Sequence, residues 1–582
     1  MRGNIAAKAG AVPIIIGVTS HRDVTAQEEA GVRGLVREFL ETLAREFPGL
    51  PLTVLSALAQ GGDQVVAEEA LALGARLIVV LPMPSAEYVL DFADLASRER
   101  FEALRAAAEV IDVSAIGGNS LDNAANGLIG NDRDRHYAHA GVYISSHCHI
   151  LLTIWDGKQS DRVGGTAQSV RYHLAGIKPS SMERPRFHVG YSPLGSDIER
   201  LAFHVVCSRD GHDGAPLLPL QPLQTYWLTG ERNLAGTGQM PAEFHTTFAH
   251  IEEFNADGAK YRAQIDAKTH ARAARNGNVA TAPVCAIDCL FQAADWLAIH
   301  FQRRVLFSMR ATYTLAAMMG IAFLCYSELP AQDYMIFVFL ALFVIGVSLS
   351  VLARRRGWHR KYLDYRALAE GLRVQSYWRR AGLSVTGDSE FAHDNFLQKQ
   401  DVELGWIRNV MRSAGLDAEL RPGRADAHAL EQVIAEWVGE SGKSGQLHYY
   451  ERRVAQRTRL HRITETLGAI SLWLGIGISV FLAAFFLRLS QDTKTILVAI
   501  MAIVSILAAV RAAYAYRKAD KELIKQYRFM CRIFAGARSA LDRTREPGEQ
   551  REILRALGEA ALAEHAEWTL MHRERPLEHA RF

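Results

Sequence analysis

Four long apolar segments restrict the folds open to this chain more than any other feature of its sequence. They cover residues 311–329, 334–353, 467–487 and 495–513. Each is close to the roughly 20 residues that an α-helix needs to cross a bilayer, and charged residues lie almost only at its ends. Buried helices of soluble proteins seldom run this long without an internal charge. We therefore expect four transmembrane helices, arranged as two hairpins.

Basic residues accumulate on one side of both hairpins. Arg354, Arg355 and Arg356 directly follow the first hairpin, whereas the turn within it contains Glu328 and Asp333. Lysine and arginine are enriched on the cytoplasmic side of membrane proteins. The sequence thus predicts a multi-pass protein of the inner (cytoplasmic) membrane, with both termini and the segment between the hairpins in the cytoplasm.

The surroundings of the two hairpins are similar. Each hairpin is entered by an amphipathic helix and left by a basic helix with a Tyr-Arg pair, Tyr365-Arg366 and Tyr527-Arg528. One supersecondary unit used twice explains this similarity. The alternative is that basic and aromatic residues flank membrane helices in general.

The region before the hairpins alternates between short apolar runs and amphipathic stretches. IIIGVTSHRD, PLTVLSALAQGGD and ILLTIWDG each contain an apolar run that ends in polar or glycine residues, and helical patterns such as residues 30–47 separate them. This alternation predicts an α/β fold, a Rossmann-like doubly wound parallel sheet in the cytosol, followed by an all-α membrane region.

Charge and cysteine content exclude several classes of protein. The net charge of +3, from 66 basic and 63 acidic residues, gives no argument for a nucleic-acid partner. Six cysteines in 582 residues do not indicate a disulfide framework. His147-Cys148-His149 and the pair Cys285 and Cys289 lack the clustered spacing of a zinc site, so we expect no metal and no resident cofactor.

Small and polar residues follow several of the predicted strands. Ligands of doubly wound sheets bind beyond the carboxyl ends of the strands. The chain has no G-x-G-x-x-G motif after its first strand and no Walker motif, so ordinary dinucleotide or P-loop binding is not expected. The candidate ligand-binding residues are Gly17, Thr19, His21, Arg22, Ser56, Gly61, Gly62, Asp63, Pro82, Tyr88, Asp156, Gly157, Gly164, Gly165, Thr166 and Gln168.

The glycine pairs 61–62 and 164–165 would let the backbone approach phosphates, and the helices that begin after each pair would add their positive dipole ends. Thr19 and Ser56 would offer hydroxyl groups at strand ends. For each such residue the alternative is a structural role in a cap or a turn.

Longer side chains suggest further contacts to a nucleotide. Arg22 would hold a phosphate through two hydrogen bonds, and Asp63 or Asp156 would accept hydrogen bonds from ribose hydroxyls. Tyr88 would stack on a base. Arg133 and Tyr137 belong to a charged run that is also typical of a solvated helix face.

Three segments of the first third of the chain resemble the SLOG superfamily of Rossmann-like nucleotide-binding domains. They are GVTSHRD, SALAQGGDQVVAEEALALGARLIVVLPMPSAEY and HILLTIWDGKQSDRVGGTAQSV. This superfamily includes the cytokinin-activating phosphoribohydrolases and sensor domains of antiphage systems. The membrane portion resembles the SLATT family of two-helix membrane effectors, through AADWLAIHF, LAEGLRVQSYW, QLHYY and QYRFMCRIFAGA.

In the phosphoribohydrolases the corresponding loop has the pattern G-G-x-G-T-x-x-E, whose glutamate helps to cleave the N-glycosidic bond. Here Gly164-Gly165-Thr166 is followed by Ala167, Gln168 and Ser169, none of which supplies a carboxylate. The resemblance therefore implies that this loop binds a nucleotide without cleaving it.

The resemblance implies a cytosolic sensor of a nucleotide or ADP-ribose-like signal that drives a membrane pore or disruptor in antiphage defence. Four spans are too few to enclose a wide pore, so we expect a homo-oligomer. The alternatives are a membrane-tethered nucleotide N-glycoside hydrolase and a ligand-sensing scaffold without a pore. The expected segments are 1–230 (sensor), 231–310 (helical connector), 311–383 (first hairpin and following helix), 384–445 (cytosolic helices) and 446–582 (second hairpin and C-terminal helices).

Overall fold

The computed structural model describes most of the chain outside its termini. The residues it describes are 10–113, 130–175, 200–210, 213–230, 232–275, 286–328, 332–383, 396, 404–420, 427–517 and 520–573.

In the part of the chain that the structure describes, eight strands form one sheet in the order β4-β3-β2-β1-β5-β6-β7-β8. Strands β1 to β6 pair in parallel, whereas β7 is antiparallel to β6 and to β8. The α/β fold predicted for the N-terminal region is thus confirmed, with an antiparallel hairpin added at one edge. The strands are β1 Ile14–Ser20, β2 Leu52–Ser56, β3 Arg76–Leu81, β4 Glu109–Asp112, β5 Ile150–Trp155, β6 Leu201–Val206, β7 Thr225–Thr229 and β8 Arg232–Thr237.

Helices cover both faces of this sheet, and the central strands are buried for that reason. Every residue of β2 and of β5 is buried, which explains their continuous apolar runs. The helices of this region are α1 Glu29–Glu46, α2 Gly62–Ala72, α3 Ser85–Tyr88, α4 Leu95–Ala106, α5 Gly130–His147 and α6 Thr166–Ala175, with a 3₁₀ turn at Val89–Asp91. Helices α1 and α2 contact each other, as do α5 and α6; right-handed crossovers place the two pairs on opposite faces.

The compact unit that contains the sheet extends beyond the predicted sensor segment. It comprises Met1–Asp295, Ala367–Ala425 and Leu562–Arg575. Its further helices include α7 Ala242–Lys260 and α8 Arg262–Arg275. Part of the segment between the hairpins therefore belongs to the same unit as the sheet.

Helix α12, Gly405–Glu419, attaches that segment to the sheet region. The backbone carbonyl of Asn409 lies 3.0 Å from Nε2 of His149, and Arg76 donates to Asp417 at 2.5 Å. These contacts join residues that are far apart in the sequence.

The second compact unit comprises Trp296–Arg366, Asp426–Ala561 and Pro576–Phe582. Four helices of the described chain are long and apolar enough to cross a membrane, as the sequence predicts. The remaining helices of the described residues are α9 Ala286–Glu328, α10 Met335–Arg355, α11 Trp358–Arg380, α13 Ala427–Val433, α14 Gly445–Ala484, α15 Gln491–Arg517, α16 Asp520–Leu541 and α17 Pro547–Arg573, with a π-helical turn at Ile434–Val438.

The apolar helices contact one another through small and aromatic residues and expose large apolar side chains. A Cβ at Gly320 of α9 would lie 3.0 Å from Ile506 of α15, and Tyr313 and Tyr514 form an edge-on ring pair. Trp473 and Phe337 are 69% and 71% exposed. Apolar side chains with this exposure fit a lipid environment.

Gly17 provides a test of packing between sheet and helix. A Cβ at this position would lie 2.8 Å from Cβ of Cys148 and from Cγ2 of Ile144. We expect Gly17→Ala to lower the free energy of unfolding by about 1–3 kcal/mol, because extra atoms in a filled core force its neighbours apart. The midpoint of thermal unfolding of the full chain in detergent measures this.

The matched control is Gly34→Ala on the exposed face of α1, where a Cβ would meet no atom of the described residues within 4 Å. It should raise stability by about 0.5–1 kcal/mol, because alanine loses less backbone entropy in a helix than glycine. If Gly17→Ala left stability unchanged and abolished ligand binding, Gly17 would belong to the ligand site instead.

Candidate functional site

The candidate site lies at the carboxyl edge of the sheet, between β1 and β5. The strand order runs from β1 through β2 to β4 in one direction and from β5 to β8 in the other. Doubly wound sheets bind ligands at this reversal of strand order. The loops after β1, β2 and β5, which hold most of the predicted residues, meet there.

The glycine pair before α2 lets two loops lie directly on each other. Gly61 has a φ of +91°, and a Cβ on it would lie 2.5 Å from the carbonyl oxygen of Arg22. The amide of Gly62 donates to the carbonyl of His21 at 3.4 Å. The loop after β2 is thus held against the loop after β1. A Cβ on Gly62 would lie 2.7 Å from Cβ of Ser20, so close packing accounts for both glycines.

Asp63, in the first turn of α2, connects this helix to the ends of two strands. Its carboxylate accepts hydrogen bonds from the hydroxyls of Ser20 at 2.5 Å and Ser56 at 3.1 Å. The side chain is buried. Burial raises the pKa of Asp63 to about 6, although the two hydroxyls favour the ionised form.

The loop before α6 is shaped by three of the predicted residues. Gly164 has a φ of +74°, and its amide donates to Oε1 of Gln168 at 2.7 Å. Thr166 donates its hydroxyl to the backbone carbonyl of Ser20 at 2.8 Å. Gln168 and Thr166 therefore fix the loop and the start of the helix.

Among the glycines of the predicted site, Gly165 is the one at which an added Cβ would be opposed least by the surrounding structure. Its φ is not positive, and a Cβ would meet only the Arg162 residue, at 3.3 Å from its carbonyl oxygen, among the described residues. Internal packing thus accounts for Gly61, Gly62 and Gly164 better than for Gly165.

An exposed cation and an aromatic ring lie beside the glycine loops. The guanidinium of Arg22 lies 4.8 Å from the ring centre of Tyr137. Tyr137 donates its hydroxyl to Asp91, which also accepts from Arg133 at 2.6 Å. Burial raises the pKa of Tyr137 to about 12 against the opposing charge of Arg22. The phenol is therefore neutral, and the pKa of Arg22 is raised, so Arg22 keeps its positive charge.

Tyr88 is placed differently from the prediction. It is 1% exposed and meets Phe92 and Phe101 edge-on, with ring centres 5.4 and 5.5 Å away. A ring enclosed in this way has no face left for a base, so the structure does not support the stacking role. Pro82 is also buried, directly after β3.

A second group of charged side chains lies beyond β5. Nε2 of His21 is 3.1 Å from Asp156, whose carboxylate also accepts from the amide of Lys158 at 3.0 Å. Burial opposes ionisation of Asp156, but His21 and this amide outweigh it, so the pKa of Asp156 is lowered. Arg209, which the sequence analysis missed, lies 4.0 Å from Asp156 and binds Asp23 through two nitrogens.

Gly157 and Gly17 have structural reasons to be glycine. Gly157 has a φ of +81°, and a Cβ on it would lie 2.5 Å from Cδ1 of Leu220, so the turn at 217–220 covers it. Gly17 lies within β1 beneath α5. Thr19 pairs with Thr153 inside the sheet, one residue before the strand ends.

Among the described residues, no group of three His, Cys, Asp or Glu side chains is placed to hold a metal ion. Comparisons with protein-family models, with curated proteins and with solved structures gave no significant match to this chain. The fold and the site define an α/β sheet domain joined to a helical membrane region, and membership of the SLOG and SLATT families stays a prediction.

Asp63→Asn tests the cost of the buried carboxylate. Because its folded-state pKa of about 6 lies above the ordinary value near 4, the folded state favours the protonated form. The contribution of Asp63 to the free energy of unfolding is therefore most favourable at low pH, and it becomes less favourable as the pH rises through about 4 to 6. Asparagine does not ionise, so the free energy of unfolding of the variant should not fall in this range. At pH 7 it should exceed that of the native protein by up to about 3 kcal/mol.

Unfolding midpoints of both proteins between pH 4 and pH 7 measure the difference. The control is Asp94→Asn, because the amide and hydroxyl of Ser97 lower the pKa of this exposed helix cap, so its substitution should cost more stability at neutral than at acid pH. Parallel pH profiles for the native protein and Asp63→Asn would contradict the assignment.

Proposed function

We propose that the sheet domain binds a nucleotide-type signal, of which ADP-ribose is one example, and that binding activates the membrane helices as a pore or disruptor. The observation that carries this proposal is the meeting of the amino ends of α2 and α6 beside Arg22. Helix amino ends and an exposed guanidinium are all binding groups for phosphate.

The neighbouring groups fit the rest of a nucleotide. Tyr137, half-buried beneath Arg22, supplies an aromatic surface that the enclosed ring of Tyr88 lacks. His21 and Asp156, on the other side of β1, supply polar atoms suited to ribose hydroxyls. Phosphate would occupy the space next to Gly165.

The chemistry of the loop favours binding over cleavage. The amide oxygen of Gln168 is occupied by the backbone of Gly164. The hydroxyl of Ser169 faces α5, since a Cβ at Gly141 would lie 2.7 Å from it. Asp63 is held by two hydroxyls beneath the loop. Neither Gln168 nor Ser169 is a carboxylate, and Asp63 is buried, so none of these three residues is presented for acid-base work on an N-glycosidic bond.

The effector half of the proposal rests on the membrane helices. The segment 467–487 contains Gly468, Gly475 and Gly477 and no acidic or basic residue. Selective ion pathways usually contain charges or exposed carbonyls, so a hydrophobic gate between helices of a homo-oligomer suits these spans better. We place the sheet domain and both termini in the cytoplasm from the charge asymmetry of the hairpins. The role in antiphage defence rests on the resemblance alone.

One helix offers a route from ligand to membrane. Helix α9 is continuous from Ala286 to Glu328, and it begins in the unit that contains the sheet and ends as the first span. A ligand shifts such a helix only if it binds two states of the protein with different affinity.

Arg22→Gln tests the phosphate contact. We expect it to weaken binding of ADP-ribose or another bound nucleotide about 10- to 100-fold, because a charged hydrogen bond is lost. Titration calorimetry of the full chain in detergent, with adenosine monophosphate, cyclic nucleotides and ADP-ribose as probes, measures the affinity. The control is Arg45→Gln, which removes an exposed arginine at the far end of α1 and should leave affinity unchanged. Equal affinities for the two variants would contradict the site, and chromatographic detection of a released base would favour the hydrolase.

Coupling is tested in proteoliposomes that contain a fluorescent dye. We expect ligand to increase dye or ion leak, and Arg22→Gln to shift the ligand concentration needed by the same factor as its affinity. Arg45→Gln should behave as the native protein does. Leak that does not depend on ligand would reject the sensor–effector scheme, and tight binding without leak would favour a scaffold.

A further inference from the structure

A groove of about 710 Å³ lies between α14 and α16, in the unit that holds the membrane helices. Its lining includes Thr458, Arg459, Arg462, Ile463, Leu467 and Arg528. It lies far from the nucleotide site in sequence, and the proposed sensing mechanism does not use it.

The groove is positively charged. Arg459, Arg462 and Arg528 are exposed, and no acidic residue of the described chain lines the groove. The neighbouring Glu465 is engaged elsewhere, at 3.1 Å from His461 and 3.5 Å from Lys521. The three guanidinium groups are therefore suited to an anionic partner.

The groove also crosses the boundary between the polar and the apolar part of α14. Ile463 and Leu467 are 44% and 39% exposed, and Leu467 opens the apolar segment 467–487. Ile470 and Leu474, three and seven residues beyond Leu467 and therefore on the same helix face, are 55% and 47% exposed. An anionic group bound by the arginines would thus have an apolar surface beside it.

A buried hydroxyl lines the same groove. The hydroxyl of Thr458 has no hydrogen-bond partner among the described residues. The hydroxyls of Thr464 and Thr466, in contrast, donate to the carbonyl four residues earlier, at 3.1 and 2.9 Å. Buried hydroxyls in folded proteins normally form a hydrogen bond. The hydroxyl of Thr458 can therefore donate one to a ligand.

We propose that this groove binds one acidic phospholipid. Its phosphate would be held by Arg459, Arg462 and Arg528 and would accept from Thr458, while an acyl chain would lie along Ile463 and Leu467. Basic pockets between helices at the membrane surface bind acidic headgroups through the same chemistry. The apolar side of the groove favours a lipid over a soluble phosphate.

Native mass spectrometry of the full chain in neutral detergent tests the proposal, with phosphatidylglycerol and phosphatidylcholine of equal chain length as probes. We expect retention of phosphatidylglycerol in preference to phosphatidylcholine. The double variant Arg459→Gln, Arg462→Gln should weaken retention about 25-fold, at about fivefold for each arginine. Arg528→Gln, on the other helix, should weaken it about fivefold.

The matched control is Arg511→Gln, Arg517→Gln, which removes the same charge from α15 outside the groove and should leave retention unchanged. Thr458→Val should weaken retention without altering the charge. Equal loss in both double variants, or equal retention of the two lipids, would overturn the proposal. Full competition by glycerol phosphate, which has no acyl chain, would show a soluble phosphate site instead of a lipid site.

Discussion

Ser20, the last residue of β1, holds the candidate site together. Its hydroxyl donates to Asp63 of α2, and its carbonyl accepts from Thr166 of α6. These helices cover opposite faces of the sheet, so one strand end fixes the position of two helix amino ends. The space between those ends is set by short hydrogen bonds to a buried strand rather than by flexible loops, which is the condition for a preorganised anion site.

This connection through Ser20 also explains why the loops before α2 and α6 are rich in glycine. Gly61 lies on the carbonyl of Arg22, and Gly164 lies against Tyr137 and the carbonyl of Asp134. Side chains at either position would separate the loops and move Arg22 away from the helix ends. These glycines therefore have a packing role: they bring an arginine and two helix amino ends to one place.

The sequence predicted the sheet and the four spans because both have strong, local hydrophobic patterns. It placed the helix starts after the glycine pairs 61–62 and 164–165, and the structure has them at Gly62 and Thr166. It did not predict that α12 packs near His149, because no local pattern encodes a contact between distant segments. The roles of individual residues were equally hard to predict. Gly157 and Tyr88 show that the sequence does not reveal which neighbours will pack against a glycine or a tyrosine.

Helix α14 limits the motions that the proposed coupling between ligand and membrane could use. Its 40 residues divide lengthwise into a basic half and an apolar half; residues 467–484 extend about 27 Å at the usual helical rise, close to the roughly 30 Å of a bilayer core. Sliding this helix along its axis would bring Arg462 into hydrocarbon at one end or expose apolar residues to water at the other. Tilting or rotating the helix, in contrast, leaves the basic half in water and the apolar half in the bilayer. Any gating motion of this helix is therefore expected to change the angle or the packed face between helices, and contacts such as the one between Ser479 and Met501 of α15 would be the ones to rearrange.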